Sequence, residues 1–422
     1  MTATVAPHHV DRSALAAWYR ANRARSAEIF ALIDPEVYFD APIPLRHPFV
    51  FYEGHLPAFS YTTLIGNALG EPPVNAGFQV LFERGIDPKN ANDAQAHRRA
   101  AWPSRAEVTA FGAACDAAVL HAYAHAKLDD PSKPDLVRAQ AAYTILEHEE
   151  MHHETLLYIV HRLPDARKRL PRVTYRDVMP ARRDPVAIPA GTATLGVARD
   201  EVAFAWDNEF AAHTVHVPAF GLDVYDVTNG EYLAFVRDGA PPPPFWVEHD
   251  GAWHLRAFGE MIPLPHSWPV YCSNAQAAAF CNWSGARLMT EAEFHRAAYG
   301  TPSGDERSQP WGEAAASAAF GNFDFRNYDP EPVGSSPQGA SAWGIEDLVG
   351  NGWEWTSTPF APFEDFAPMA SYKPYSTDFF DGDHYVIKGA SPVTSRNLVR
   401  RSFRNWYRRE YTYAYTTFRR AY

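Results

Sequence analysis

The residues best suited to chemistry lie in the run Glu147-His148-Glu149-Glu150-Met151-His152-His153-Glu154. If the run is helical, positions four apart stand one turn above each other, so His148 and His152 leave the same face and can chelate one ion. His153 is rotated by about a quarter turn and should miss it. Imidazole suits late first-row metals, whereas a cluster of carboxylates alone would point to magnesium or calcium. A third histidine, His55, closes the stretch Arg46-His47-Pro48-Phe49-Val50-Phe51-Tyr52-Glu53-Gly54-His55. Supplied from a neighbouring helix, it makes a facial set with the opposite positions open, as oxygen-activating iron requires. The letters His148-Glu149-Glu150-Met151-His152 also satisfy the H-E-x-x-H pattern of zinc proteases, with Glu149 as general base. No extension to a third downstream histidine accompanies that pattern. The plain alternative is a solvated helix rich in Glu and His.

Holding these side chains requires helices, and within a first domain of residues 1–163 the pattern is helical from Asp11 to about Leu163. Leu15, Trp18, Tyr19, Ile29, Phe30 and Leu32 fall largely on one stripe. Four helices are expected: the first from Asp11, the second from about Pro48 to Leu69, the third opening at the capping box Ser104-Arg105-Ala106-Glu107, and the fourth from after Pro134 to about Val160. Helices of this length predict a four-helix bundle, whose core is a common place for metal ligands on facing helices. Residues 164–187 carry Pro171, Pro180 and Pro185 among Arg167, Lys168, Arg169, Arg172 and Arg176, and read as a solvated linker. From Ile188 the periodicity weakens into short apolar runs between turns, so 188–422 is expected to be a loop-rich α+β domain. Its helical inserts are Asn274 to Trp283 and the segment opened by a second capping box, Thr290-Glu291-Ala292-Glu293.

At 422 residues, two domains are the natural division. The net charge of −12 argues against a nucleic-acid partner and favours small molecules. Cys115, Cys272 and Cys281 form no disulfide framework, which fits a reducing cytoplasm. Neither a basic segment followed by an apolar run near Met1 nor a stretch of ~18 apolar residues is present, so no membrane association is expected.

With these residues assembled, the chain resembles the sulfoxide synthases of ergothioneine and ovothiol biosynthesis, the EgtB and OvoA family. The likeness rests on Gly54-His55 and His148-x3-His152-x-Glu154 in the first half. In the second half it rests on Trp206-Asp207-Asn208-Glu209, Val227-Thr228-Asn229, Ala286-Arg287-Leu288-Met289-Thr290-Glu291-Ala292-Glu293, Gly352-Trp353-Glu354-Trp355-Thr356 and Phe403-Arg404-Asn405-Trp406. The resemblance implies a DinB-like four-helix bundle followed by a formylglycine-generating-enzyme-like α+β domain related to the C-type lectin fold. It implies a non-heme iron oxidoreductase in which Fe(II), held by His55, His148 and His152, and O2 attach a thiol to the imidazole of hercynine (trimethylhistidine), in a site between the domains. It further implies an active-site tyrosine that donates a proton; Tyr372 in Tyr372-Lys373-Pro374-Tyr375-Ser376 is the expected donor, with Tyr375 at the substrate. A phenol near its ordinary pKa of ~10 is protonated at neutral pH and can donate. Asn405, Trp406 and Tyr407 are the expected substrate-binding residues, because a quaternary ammonium is stabilised by aromatic faces and Asn405 offers a polar edge.

Departures from the family pattern bear on the donor. Where bacterial ergothioneine enzymes follow Asn-Trp with Asp, this chain has Tyr407, then Arg408 and Arg409. A zwitterionic peptide donor would lose its acidic partner, and an unpaired buried charge costs about 1–3 kcal/mol or more. Met151 stands where those enzymes carry Gln, and a thioether tolerates a soft, polarizable neighbour. Lys388-Gly389-Ala390-Ser391-Pro392 replaces the usual Gly-Gly-Ser-Trp stretch. These features resemble the selenoneine synthase (SenA) branch, which implies a selenosugar donor in place of a cysteine peptide. The rival within the family is an ergothioneine-type synthase using cysteine or γ-glutamylcysteine. A non-catalytic lectin-like binding protein is the rival from another class, and the three histidines argue against it. Formylglycine generation needs a cysteine pair near the C-terminus, and no cysteine follows Cys281.

Overall fold

The computed structural model describes residues 10–83, 101–170, 175–181 and 183–422. These divide into two compact units. The first unit is helical. Helix α1, Arg12–Ala31, starts at Asp11, whose carboxylate accepts from the amides of Ser13 and Ala14. Helix α2, Phe49–Ser60, passes into a wider π-helical segment, Tyr61–Leu69, that ends on Gly70 at φ +83°. The single helix expected over this stretch changes its winding just after Pro57, which has no N–H to give, and Ser60, whose hydroxyl bonds the Leu56 carbonyl at 3.0 Å.

A short helix α3, Ala76–Leu81, precedes α4, Arg105–His125, which opens on Ser104 with both bonds of the expected capping box. Helix α5, Gln140–His161, begins later than Pro134 suggests. Arg138 and Ala139 take positive φ, and the Asp129 carboxylate captures the Arg138 amide at 2.9 Å, which interrupts the helical ladder. Helices α1 and α2 each pack on α4 and α5. Leu15, Tyr19, Ile29 and Phe30 of the expected stripe are buried.

Two short segments from the later chain, Val202–Phe204 and Pro368–Tyr375, belong to this helical unit. Phe204 stacks on Tyr143 at 5.8 Å, and Arg138 bonds the Val202 carbonyl at 2.7 Å. Ser371 shares a 2.9 Å hydrogen bond with Thr144 and donates its amide to Gln140 at 3.3 Å, both on α5. A division of the chain by sequence position alone does not anticipate this insertion. The described parts of 164–187 also pack on the unit they adjoin. Arg169 donates to the Leu32 carbonyl at 2.7 Å, and the Asp177 carboxylate accepts from the amides of His266 and Ser267. Residues 171–174 and 182, with Pro171 and Arg172, lie outside the described residues.

The second unit is mixed α+β. Its strands are Val186–Ile188 (β1), Gly191–Leu195 (β2), His213–Val217 (β3), Phe220–Leu222 (β4), Trp246–His249 (β5), Ala252–Arg256 (β6), Met261–Pro263 (β7), Arg287–Leu288 (β8), Gly352–Pro359 (β9), His384–Ala390 (β10), Asn405–Arg408 (β11), Thr416–Thr417 (β12) and Arg420–Ala421 (β13). One sheet runs β1-β4-β13-β8 and another β11-β10-β9-β12, with β2-β3 and β5-β6-β7 as smaller ribbons. Helices α6 (Asn229–Arg237), α7 (Asn274–Trp283) and α8 (Glu291–Ala298) each open on a capping box, at Thr228, Ser273 and Thr290. The inserts expected at Asn274 and Thr290 are therefore both present. Leu222, Phe294, Ile345 and Leu348 centre the apolar core.

The acidic residues of the sequence motifs build this unit rather than a site. Buried Glu209, Glu291 and Glu354 pair with Arg400, Arg404 and Arg419 at 2.8, 2.9 and 2.6 Å. Among the described residues no helix is long and apolar enough to cross a membrane.

Candidate metal centre

His55 on α2 and His148 and His152 on α5 converge, each offering a ring nitrogen within 4.8 Å of the others. The spacing of four on α5 puts the His148 and His152 rings 4.5 Å apart, and the His55 ring lies 5.2 and 5.1 Å from them. His55 and His148 are buried. Desolvation pushes His55 down to about 4 and His152 well below its ordinary value, which keeps these imidazoles neutral and their lone pairs available.

The surroundings select one nitrogen of His55. Its Nδ1 lies 2.9 Å from the Phe82 carbonyl, so it carries the proton and leaves Nε2 as the free ligand atom. The Phe59 ring stacks on His148 at 3.5 Å and 11°, fixing the plane of that imidazole. His152 Nδ1 is buried with no hydrogen-bond partner among the described residues. Three imidazoles, no carboxylate in the cluster and an orphaned ring nitrogen fit a late first-row ion.

Glu149 and Glu150 are engaged by α1. Glu149 accepts from Arg23 at 2.7 Å and Ser26 at 2.6 Å, both on α1, and Glu150 accepts from the Trp18 indole at 2.8 Å. Burial pushes the Glu149 carboxyl up, and Arg23 and Ser26 pull it back. Its Oε1 is thereby committed to α1, which argues against the general-base role of a zinc protease. His153, one position round the helix, meets Ser26 at 2.9 Å instead of the cluster.

Tyr372 and Tyr375 enter the same unit on the inserted segment. The Tyr372 ring lies 6.0 Å from that of His148 and 5.0 Å from that of Phe59. Buried Tyr375 donates to the Met151 thioether at 3.3 Å, and its ring is 5.8 Å from that of Tyr372. His55, His148, His152, Met151, Tyr372 and Tyr375 are thus brought together.

Asn405, Trp406 and Tyr407 lie in the second unit, on β11. Alternation places Asn405 and Tyr407 on one face and Trp406 on the other. The Trp406 ring stacks on Phe360 at 4.0 Å, so one of its faces is already covered. Tyr407 stacks on Tyr411 at 4.7 Å and 7°. In the same unit Asp207 and Asn208 bond Ser376, the residue that follows Tyr375.

Sequence reasoning passed over Phe59 and Phe82. The first had a signal, since it stands four residues after His55 on the same helix. The second had none, because it acts through a backbone carbonyl.

Comparison with known proteins places these observations in a family. The Sulfatase-modifying factor enzyme 1-like domain matches residues 174–422, and the DinB superfamily matches 19–156. Hercynine oxygenase of Mycolicibacterium smegmatis is 36% identical over 290 residues, covering 62% of this chain and 67% of that protein. Ergothioneine biosynthesis protein 1 of Schizosaccharomyces pombe is 28% identical over 424 residues, covering 91% of this chain and 53% of its own length. The formylglycine-generating enzyme of Bos taurus is 28% identical over 215 residues, 41% of this chain and 57% of its own. The chain therefore spans about two thirds of the mycobacterial relative and about half of the fungal one.

Proposed function

The chain belongs to the hercynine oxygenase family, a DinB-type half followed by a sulfatase-modifying-factor-type half, and on that premise we propose that it is a non-heme iron enzyme joining a chalcogen donor to the imidazole of hercynine. The observation that carries the reading is the convergence of His55, His148 and His152. Iron(II) bound there would supply dioxygen activation: the imidazole C–H and donor Se–H hydrogens leave with two electrons as the C–Se bond forms, and O2 takes them up, one oxygen atom leaving as water and the other passing to selenium.

The protein's own part is positioning. His55, His148 and His152, supplied by two helices, would hold the ion through three imidazoles, a ligand number that would leave it free to take small molecules as well. Phe59 holds the plane of His148. Tyr372 carries its hydroxyl on the segment beside His148 and is the proposed proton donor. Met151 and Tyr375, joined by their O–H to sulfur contact, are assigned to substrate, as are Asn405, Trp406 and Tyr407 in the second unit.

The donor we propose is a selenosugar. The residue after Trp406 is an aromatic that stacks on Tyr411, not an acid. An aromatic ring at this position suits the apolar face of a sugar, and it carries no carboxylate for the ammonium of a cysteine peptide.

The test is to load purified protein with iron(II) anaerobically, then admit oxygen with hercynine and, in turn, a 1-seleno sugar, γ-glutamylcysteine or cysteine, with products read by mass spectrometry. Oxygen uptake should require hercynine and a donor together, with the selenosugar turned over fastest. Equal or better turnover of either sulfur donor would sink the selenium assignment and spare the family reading. No hercynine-dependent uptake with any donor would sink both.

A further inference from the structure

Resting on the metal reading above, we infer that the Phe82 carbonyl and the absent side chain of Gly54 together set which nitrogen His55 presents to the metal, making both positioning residues. The His55 Nδ1 to Phe82 carbonyl bond is 2.9 Å long and buried. Without that acceptor, Nδ1–H would lie bare in an apolar site, or the ring would take the tautomer whose proton sits on Nε2, where the metal-binding lone pair must be.

Gly54 explains how the carbonyl comes close enough. A Cβ at position 54 would lie 2.5 Å from Cε1 and Cζ of Phe82, well inside van der Waals contact. Gly54 sits within helix α2 and does not need glycine for its backbone, since its φ is not positive. On helix propensity alone, alanine would be the better residue there. The missing side chain therefore serves the approach of Phe82. The Phe82 ring cannot retreat easily: it is fully buried, with Trp102 at 6.1 Å and 21°, Phe111 at 6.1 Å and 23°, and Phe78 edge-on at 5.8 Å. Displacement of the ring passes to the Phe82 backbone and so to the carbonyl.

Gly54→Ala should weaken iron(II) affinity by about 10- to 100-fold, the range for loss of a partner behind a metal-bound histidine. The Gly54→Ala/Phe82→Ala double variant removes the clashing ring, keeps the carbonyl, and should recover most of that affinity. Histidine ¹⁵N NMR of metal-free protein, with His55 assigned by a His55→Gln variant, should show the wild type protonated on Nδ1. Gly54→Ala should show a mixture of tautomers. Affinity in Gly54→Ala within about twofold of wild type overturns the inference, as does a loss that the double variant fails to recover. If the variants do not fold, the wild-type tautomer decides alone, and a proton on Nε2 overturns it. Wild-type protein that binds no iron would instead defeat the metal reading, while the tautomer still reports on this one.

Discussion

Replacement of Glu149 by alanine separates a structural acid from a catalytic one. Glu149 is the middle letter of a pattern that, in a zinc protease, would mark the general base. Here its Oε1 takes the Arg23 guanidinium at 2.7 Å and the Ser26 hydroxyl at 2.6 Å, tying α1 to α5 behind the histidines. Removing one partner of a buried ion pair costs about 3–5 kcal/mol. The Arg23 side chain is 21% exposed and keeps Asp116 at 3.1 Å, so the lower end applies, about 3 kcal/mol. At roughly 2–4 °C per kcal/mol for a unit of this size, melting should fall by about 6–12 °C. Thermal melts of Glu149→Ala, with iron content and oxygen uptake measured well below the new midpoint, should find a less stable protein that still holds iron and turns over. Wild-type melting with abolished turnover would refute the reasoning and put Glu149 at the reacting atoms.

Two further outcomes follow from the same structure. Tyr372→Phe keeps the ring against Phe59 and His148 but removes the phenolic proton, so iron content should be unchanged while turnover falls by about 10²- to 10⁴-fold; lost iron would assign Tyr372 a structural part instead. Asp347 is buried and its carboxyl is pushed up to about 6 by burial, so ionising it costs the folded state. That stability is present below the unfolded value near 3.9 and is lost as pH rises through 6. Asn keeps an acceptor for the Gly334 amide and tolerates the φ of +59°, so Asp347→Asn should be more stable than wild type by about 1–3 kcal/mol at pH 7.5 and equal to it near pH 3.5. Urea titrations at the two pH values check this, and an advantage that grows on acidification would contradict it.

Periodic features were legible in the sequence. The spacing of His148 and His152 follows from helical geometry, and the boxes at Ser104 and Thr290 mark helix starts because their hydrogen bonds are local. Long-range partners were not. Nothing in the letters pairs Glu209 with Arg400 or Glu291 with Arg404, and those motifs read equally well as chemistry or as framework. Trp406 is assigned to substrate by residue type, and its letter does not reveal that the fold covers one of its faces with Phe360. Backbone groups leave no trace in a sequence, which is why the Phe82 carbonyl had to be seen in place.

The insertion of Pro368–Tyr375 into the helical unit has a consequence for biogenesis. The three histidines are all translated by residue 152, but the tyrosine that faces them is more than half the chain away. If the helical unit follows the general tendency to fold as it emerges during synthesis, its histidines come together before Tyr372 is made. A prematurely terminated chain would carry the three histidines without the segment that places Tyr372 beside them, so the helical unit is completed only when the later chain has been made.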